Sequence, residues 1–300
     1  MKSVNESKSI PKLLDPAGIV YVIFTFSLGV SAAHHLGARF DLPILLIGLS
    51  VCVLIRVMGH FLAAYYDHPE SYHSTLSLSD PEREQLLGIR RPLLFHYSLL
   101  ILTAAATLAT ILIICGAISA SSGLLLAIAL LISFFSAVPP TRLLRNGYGE
   151  LADALIIANL TPAFAFSLTG LPLSLFIVEL TLPLTFIYLA MRIALAFITH
   201  GFDSTHGRLS LTVRLGWKNA LVLHNVFILI AFLLAGIFLL LGFPWSLTWP
   251  ILLALPVGIL QILYMQGIAN GAHPKWVFLR WLAIGLFLLM VYLEVISLWI

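Results

Sequence analysis

The chain has 300 residues, of which 60% are apolar and only 10% charged, against roughly 25% charged in an ordinary soluble domain. That composition excludes a soluble globular protein. One membrane span needs ~20 mostly apolar residues, so the apolar positions, 60% of 300 or about 180, fill about nine spans and leave little for an extramembrane domain. Sixteen Lys and Arg against thirteen Asp and Glu are too evenly balanced for a nucleic-acid surface. Cys52 and Cys115 both lie in apolar runs and read as small packing residues.

The first fifteen residues carry Lys2, Lys8 and Lys12. The apolar stretch that follows exceeds a signal-peptide core and lacks an Ala-x-Ala cleavage site, so it reads as the first span. In chain order the hydropathy pattern predicts spans near 17–37, 42–66, 93–115, 120–139, 150–170, 173–198, 219–242, 247–267 and 277–299. The expected fold is an all-α integral membrane bundle of nine transmembrane helices, one transmembrane domain over residues 1–300. Between the second and third spans, Ser79-Asp80-Pro81 opens a segment to Leu87 that reads as a short interfacial helix.

Thirteen of the sixteen basic residues fall on the amino-terminal side of this arrangement: Lys2, Lys8, Lys12, Arg83, Arg90, Arg91, Arg142, Arg145, Arg208, Arg214, Lys218, Lys275 and Arg280. The opposite side has Arg39 alone, and Arg56 and Arg192 fall within spans. The excess of basic residues predicts a cytoplasmic amino terminus, an external carboxyl terminus and a multi-pass protein of the cell (inner) membrane. Trp245, Trp249, Trp276 and Trp299 stand at span ends, where interfacial aromatic residues belong.

An arginine within a span costs at least ~2.5 kcal/mol on insertion scales, so it is expected to face the bundle interior and to have a partner or ligand. Laying Ile55-Arg56-Val57-Met58-Gly59-His60-Phe61 of the second span on Met191-Arg192-Ile193-Ala194-Leu195-Ala196-Phe197 of the sixth exposes a repeat. Both copies have Arg, then Phe five residues on and Asp, Asp67 or Asp203, eleven on. Eleven residues are almost three helical turns, so each Asp stands about 16 Å along from its Arg on nearly the same face. The two copies are expected to point these groups into one cavity. His60, His68, His73, His200 and His206 gather near the same helix ends but match no standard zinc-ligand pattern.

Further motifs lie between the spans. Ser136-Ala137-Val138-Pro139-Pro140-Thr141-Arg142-Leu143 is followed by Gly147-Tyr148-Gly149-Glu150, and Thr212-Val213-Arg214-Leu215-Gly216 precedes the seventh span. With the span pattern, these segments resemble the UbiA superfamily of intramembrane prenyltransferases over almost the full length. The resemblance implies nine helices and transfer of a prenyl group from a prenyl diphosphate to a lipid-soluble aromatic acceptor of the quinone-precursor type. It also implies a Mg2+ cofactor, held by two aspartate-rich motifs at the ends of the second and sixth helices. At the positions aligned with those motifs stand Ala63, Ala64, Asp67 and Ser71, then Thr199, Asp203 and Gly207.

On this resemblance Asp67 and Asp203 are the expected catalytic pair, and Asp67, Asp203 and Glu70 the expected metal ligands. Glu150 and Asp153 are candidates to replace the missing carboxylates. Ionising a prenyl diphosphate develops negative charge on the leaving group, which calls for fixed cations. Arg142, Arg145, Arg208, Arg214, Arg56 and Arg192, with Tyr148, are the expected substrate-binding residues. Because motif carboxylates are missing, the alternative is a catalytically degenerate protein that binds or carries an isoprenoid. A transporter would need an inverted repeat, whereas spans two and six run in the same direction.

Overall fold

The structure is a computed structural model that describes residues 14–66, 80–205 and 209–300. Among these, nine helices are long and apolar enough to cross a membrane. In lipid every backbone N–H and C=O must find its partner inside the chain, which long apolar runs achieve as helices. The elements are α1 (Pro16–His35), α2 (Leu42–Tyr66), α3 (Asp80–Ile114), α4 (Ala120–Ala137), α5 (Gly149–Ala154), a π-helical stretch (Leu155–Leu160) and α6 (Thr161–Ser167). They continue with α7 (Leu175–Thr205), α8 (Leu211–Leu215), α9 (Trp217–Leu240), α10 (Trp245–Leu252), α11 (Leu255–Ala269) and α12 (Trp276–Trp299). The segment expected as a separate interfacial helix is instead the start of α3, which runs without interruption through Pro92.

Local sequence sets the helix ends. Asp15 caps α1 by accepting from Gly18 N, and Pro16 sits in the first turn, where its missing N–H costs nothing. Ser119 and Ser122 cap α4 reciprocally. The fifth span is assembled from α5, the π stretch and α6. Pro162 has no N–H to donate to the carbonyl four residues back, so the α ladder breaks near it, and Thr161 Oγ1 donates to Ile156 O instead. Within the π stretch the Asn159 amide donates to Thr185 Oγ1 of α7, which ties the fifth span to the sixth.

Burial identifies the centre of the bundle. Seventy-two per cent of the fifth span and 67% of the sixth are buried, against 17% of the third, which faces outward. Around α7 pack α9, α12 and the π stretch, while α1 packs on both α6 and α12. An edge-to-face trio of Tyr21, Tyr188 and Phe287 joins α1, α7 and α12, with ring centroids 5.0 to 5.9 Å apart. At the far end of the same helices Trp299 Nε1 donates to Ser31 Oγ at 3.0 Å, so the first and last spans close on each other.

Candidate functional site

The two intramembrane arginines of the repeat meet on one carboxylate. Arg56 of α2 donates through Nη1 to Asp153 Oδ1, and Arg192 Nε of α7 lies 3.4 Å from Asp153 Oδ2. Tyr188, one turn before Arg192, donates its hydroxyl to the same Oδ2 at 2.7 Å. Arg56 Nη2 reaches a second carboxylate, Asp15 Oδ2, at 2.7 Å. Formal charge in this cluster is therefore balanced, with Arg56 and Arg192 against Asp15 and Asp153. Gly18 makes the arrangement possible, because a Cβ there would stand 2.2 Å from Asp15 Oδ2 and 2.8 Å from Arg56 Nε. Burial alone would raise the Asp15 carboxyl, but the Arg56 guanidinium, with His60 and Arg192 nearby, holds it far below the usual carboxylate range.

The arginines differ in what they leave free. Arg56 has both terminal nitrogens engaged and its side chain is 16% exposed. The Arg192 side chain is 27% exposed, and among the described residues its terminal nitrogens have no partner. An apolar crevice lined by Cys52, Ile55, Leu126, Ile156, Leu160 and Phe164 opens beside α2, one residue from Arg56.

Eleven residues beyond Arg192, about three turns or 16 Å along α7, stands Asp203. It is 2% exposed, its Oδ2 accepts from Thr199 Oγ1 at 3.0 Å, and its Oδ1 is buried without a partner. Tyr188, Arg192, Thr199 and Asp203 follow at intervals of four, seven and four residues, which places them on one stripe of the helix. The chain after Asp203 returns to the linker between the fourth and fifth spans. Leu209 N donates to Arg145 O, and Asn146 pairs with Leu209. Arg214 donates to Asn146 O at 3.0 Å while its guanidinium stacks 4.4 Å above the Tyr148 ring. Gly147, at φ +78, permits this contact, since a Cβ there would stand 3.0 Å from Arg214 Cδ. Arg142 also takes a left-handed conformation, φ 38, and its Nε is buried without a partner.

Solved structures with this architecture exist. A UbiA homologue from Archaeoglobus fulgidus superposes with a TM-score of 0.66 over 97% of this chain and 98% of its own, at 16% identity. The fold is that of the UbiA superfamily. A digeranylgeranylglyceryl phosphate synthase covers 98% of this chain and 99% of its own at TM-score 0.62 and 15% identity. A UbiA homologue from Aeropyrum pernix K1 gives 0.54 at 18% identity, over 93% of this chain and 97% of its own. No family model and no curated protein sequence matches the chain.

Within the UbiA fold the two linkers that carry the sequence resemblance are thus knitted together, bringing Arg145, Tyr148 and Arg214 to one end of the bundle with Asp203. Asp67, Glu70 and Arg208 lie outside the described residues. Of the two carboxylates expected to replace missing ligands, Asp153 is committed to the arginine cluster and Glu150 has one oxygen engaged. Asp153 is taken up by Arg56, Tyr188 and Arg192, and Glu150 Oε1 accepts from Leu211 N at 3.3 Å. Sequence reasoning named both arginines but missed that Asp15 and Asp153 are their counterions. The usable signal was charge balance, since a guanidinium in lipid demands an acid and few acids lie in or beside spans.

Among the described residues the buried carboxylate oxygens without a hydrogen-bond partner are Asp203 Oδ1 and both oxygens of Glu294, which stands in the last turns of α12 and away from the linker end that holds Asp203, and no group of three possible ligands is present. Asp203 Oδ1 is a hard donor, buried and uncommitted, which suits Mg2+.

Proposed function

We propose that this chain transfers a prenyl group from a prenyl diphosphate to a lipid-soluble aromatic acceptor of the quinone-precursor type, within the membrane. The observation that carries the reading is Asp203 Oδ1, a buried and unpaired carboxylate oxygen at the end of a polar helix stripe. Leaving such an atom unsatisfied costs about 1 to 3 kcal/mol, a cost that a bound cation offsets. The A. fulgidus homologue of the same fold has been solved with GPP and Mg2+, which supports the substrate class.

On this reading Asp203, with Asp67 and Glu70, holds the magnesium ion at the cytoplasmic end. Bound there, the ion offsets charge on the diphosphate as it departs. Arg142, Arg145, Arg208 and Arg214 supply fixed positive charge at the same end, with Tyr148 carrying Arg214 in position. The bond from the prenyl carbon to the diphosphate oxygen breaks, its electron pair leaving with the diphosphate. An electron pair of the acceptor forms the new bond, and the acceptor gives up a proton. The apolar bundle shields the carbocation from water.

The test is transfer from a labelled prenyl diphosphate by purified protein in lipid, across aromatic acceptors, with Mg2+ or with EDTA. Transfer that requires the metal is the expected result. Metal-independent binding of the diphosphate with no transfer to any acceptor would instead favour an isoprenoid carrier, a reading to which Ala64 and Thr199 at acidic motif positions also point.

A further inference from the structure

The last three spans carry a one-sided charge. Between Asp203 and Glu294 the sequence holds no acid, yet it holds Arg208, Arg214, Lys218, Lys275 and Arg280. Arg214 is taken up by Asn146 and Tyr148. The side chains of Lys275 and Arg280 make no hydrogen bond or ion pair among the described residues. Arg280 is the anomaly, because it lies inside a span rather than beyond it. The last membrane-spanning helix begins at Trp276, which puts Arg280 about 6 Å into it. Its side chain is exposed, as are Val277 and Trp281 on the same helix face, at 69% and 68%. An exposed apolar face of a spanning helix meets lipid, so this guanidinium has no acid to pair with and must run its stem along the helix toward the headgroup layer. Lys275 immediately precedes α12 and is held by α11. The Tyr264 hydroxyl accepts from Lys275 N at 2.8 Å and donates to Lys275 O at 3.2 Å, while its ring meets Phe278 edge to face at 4.9 Å. The α11–α12 hairpin thus fixes the two cations about 7.5 Å apart along the helix axis.

We propose that this hairpin binds an anionic phospholipid on the outer surface of the bundle, with the lipid phosphate between Lys275 and Arg280 and its acyl chains against Trp281. The surface stands at the end of the bundle that holds Asp203, since α9 leaves that end and α10 with α11 returns to it. It faces lipid rather than the bundle interior and takes no part in prenyl transfer. The two parallel donors of a guanidinium match two phosphate oxygens, and the Lys275 ammonium adds a second positive charge. A basic surface at this depth attracts anionic headgroups. The missing acids set the selectivity. A zwitterionic lipid brings a phosphate too, but its ammonium enters a patch of two cations in which no Asp or Glu of the last three spans can receive it. An anionic lipid brings no such charge, and Trp281 beside the headgroup layer suits either.

The experiment titrates the full chain in neutral detergent with phosphatidylglycerol or with phosphatidylcholine of the same acyl chains, and counts bound lipids by native mass spectrometry. Inorganic phosphate serves as a competitor. The parent is expected to bind phosphatidylglycerol about fivefold or more tightly than phosphatidylcholine, the scale of one cation at a membrane surface. Arg280→Gln and Lys275→Gln are each expected to cut phosphatidylglycerol affinity about fivefold, and the double variant about 25-fold, with phosphatidylcholine binding unchanged. Arg39→Gln removes the same charge at the opposite end and is expected to change nothing. Equal affinity of the parent for the two lipids overturns the proposal, as does a preference that survives in the double variant. An equal loss in Arg39→Gln reduces the effect to net charge and overturns it as well. So does displacement of the lipid by an equal concentration of inorganic phosphate, which assigns the pair to a free anion. If Arg280→Gln fails to fold, Arg280→Lys and Lys275→Gln decide: the first keeps the charge and is expected to keep most of the preference, the second to lose about fivefold, and the reverse pattern contradicts the site.

Discussion

Asp153 accepts from Arg56 and Tyr188 with the Arg192 guanidinium 3.4 Å away, and its value lies in what it neutralises. Removing one partner of a buried ion pair leaves a charge uncompensated at a cost of ~3 to 5 kcal/mol. Asp153→Asn leaves Arg192 without a counterion and Arg56 with Asp15 alone, so it is expected to lower the melting temperature more than Arg192→Leu, which loses only a 3.4 Å contact. Thermal unfolding in detergent checks the order; equal losses for the two variants contradict the shared-counterion account. Asp15 carries a pH signature. Its folded carboxyl is held below the ordinary value by Arg56 against the opposing effect of burial, so its stabilisation is present above the unfolded value of ~3.9 and is lost only as pH falls far below it. The gap in melting temperature between parent and Asp15→Asn is accordingly expected to be constant from pH 8 to about 5 and to shrink in stronger acid. Arg56 and Arg192 were legible in the sequence because charge is conspicuous in an apolar run. Asp15 and Asp153 were not, since an acid near a span end looks the same whether solvated or paired, and only the packing of α1 and α5 on α2 and α7 distinguishes them.

At the scale of elements, apolar length carries most of the information. All the expected spans but the fifth and sixth fall within two residues of the observed membrane-spanning segments at both ends, because in lipid a long apolar run has no alternative to helix. Misreadings arose where a helix continues into water or changes type. The helix start at Asp80 was legible from Ser79-Asp80-Pro81, but nothing in a polar prefix says that this helix passes through Pro92 into the third span. The π stretch in the fifth span likewise has no compositional mark beyond Pro162. Orientation rests on the basic residues alone. With the amino terminus in the cytoplasm, the exposed Cys115 after α3 lies outside, as does Ser174 before α7. A membrane-impermeant maleimide applied to intact cells should therefore label native Cys115, and a cysteine at Ser174 in a Cys115→Ser background, but not one at Thr75. Labelling at Thr75 alone would invert the topology and put the Asp203 end outside.

Taken whole, the molecule places two polar layers along one apolar bundle, a charge-balanced cluster at Arg56, Asp153 and Arg192 and a rim that holds Asp203. Their stability logic is opposite. The cluster satisfies its charges internally, whereas Asp203 is 2% exposed with an oxygen that has no hydrogen-bond partner among the described residues. Such a group weakens the ligand-free fold and is retained where ligand binding needs it. Asp203→Asn keeps the shape and the possibility of a hydrogen bond with Thr199 while removing the buried charge. It is therefore expected to leave the melting temperature unchanged or raised, yet to cut prenyl transfer by about 100-fold or more, the scale of losing a group that stabilises transition-state charge. Asp67→Asn should match it in activity, and the double variant should be little worse than either single one, because two ligands of one ion act as a unit. Parallel melting and transfer assays on the three variants settle the assignment. A destabilised Asp203→Asn would make the residue structural, and losses that simply multiply would give the two aspartates separate tasks.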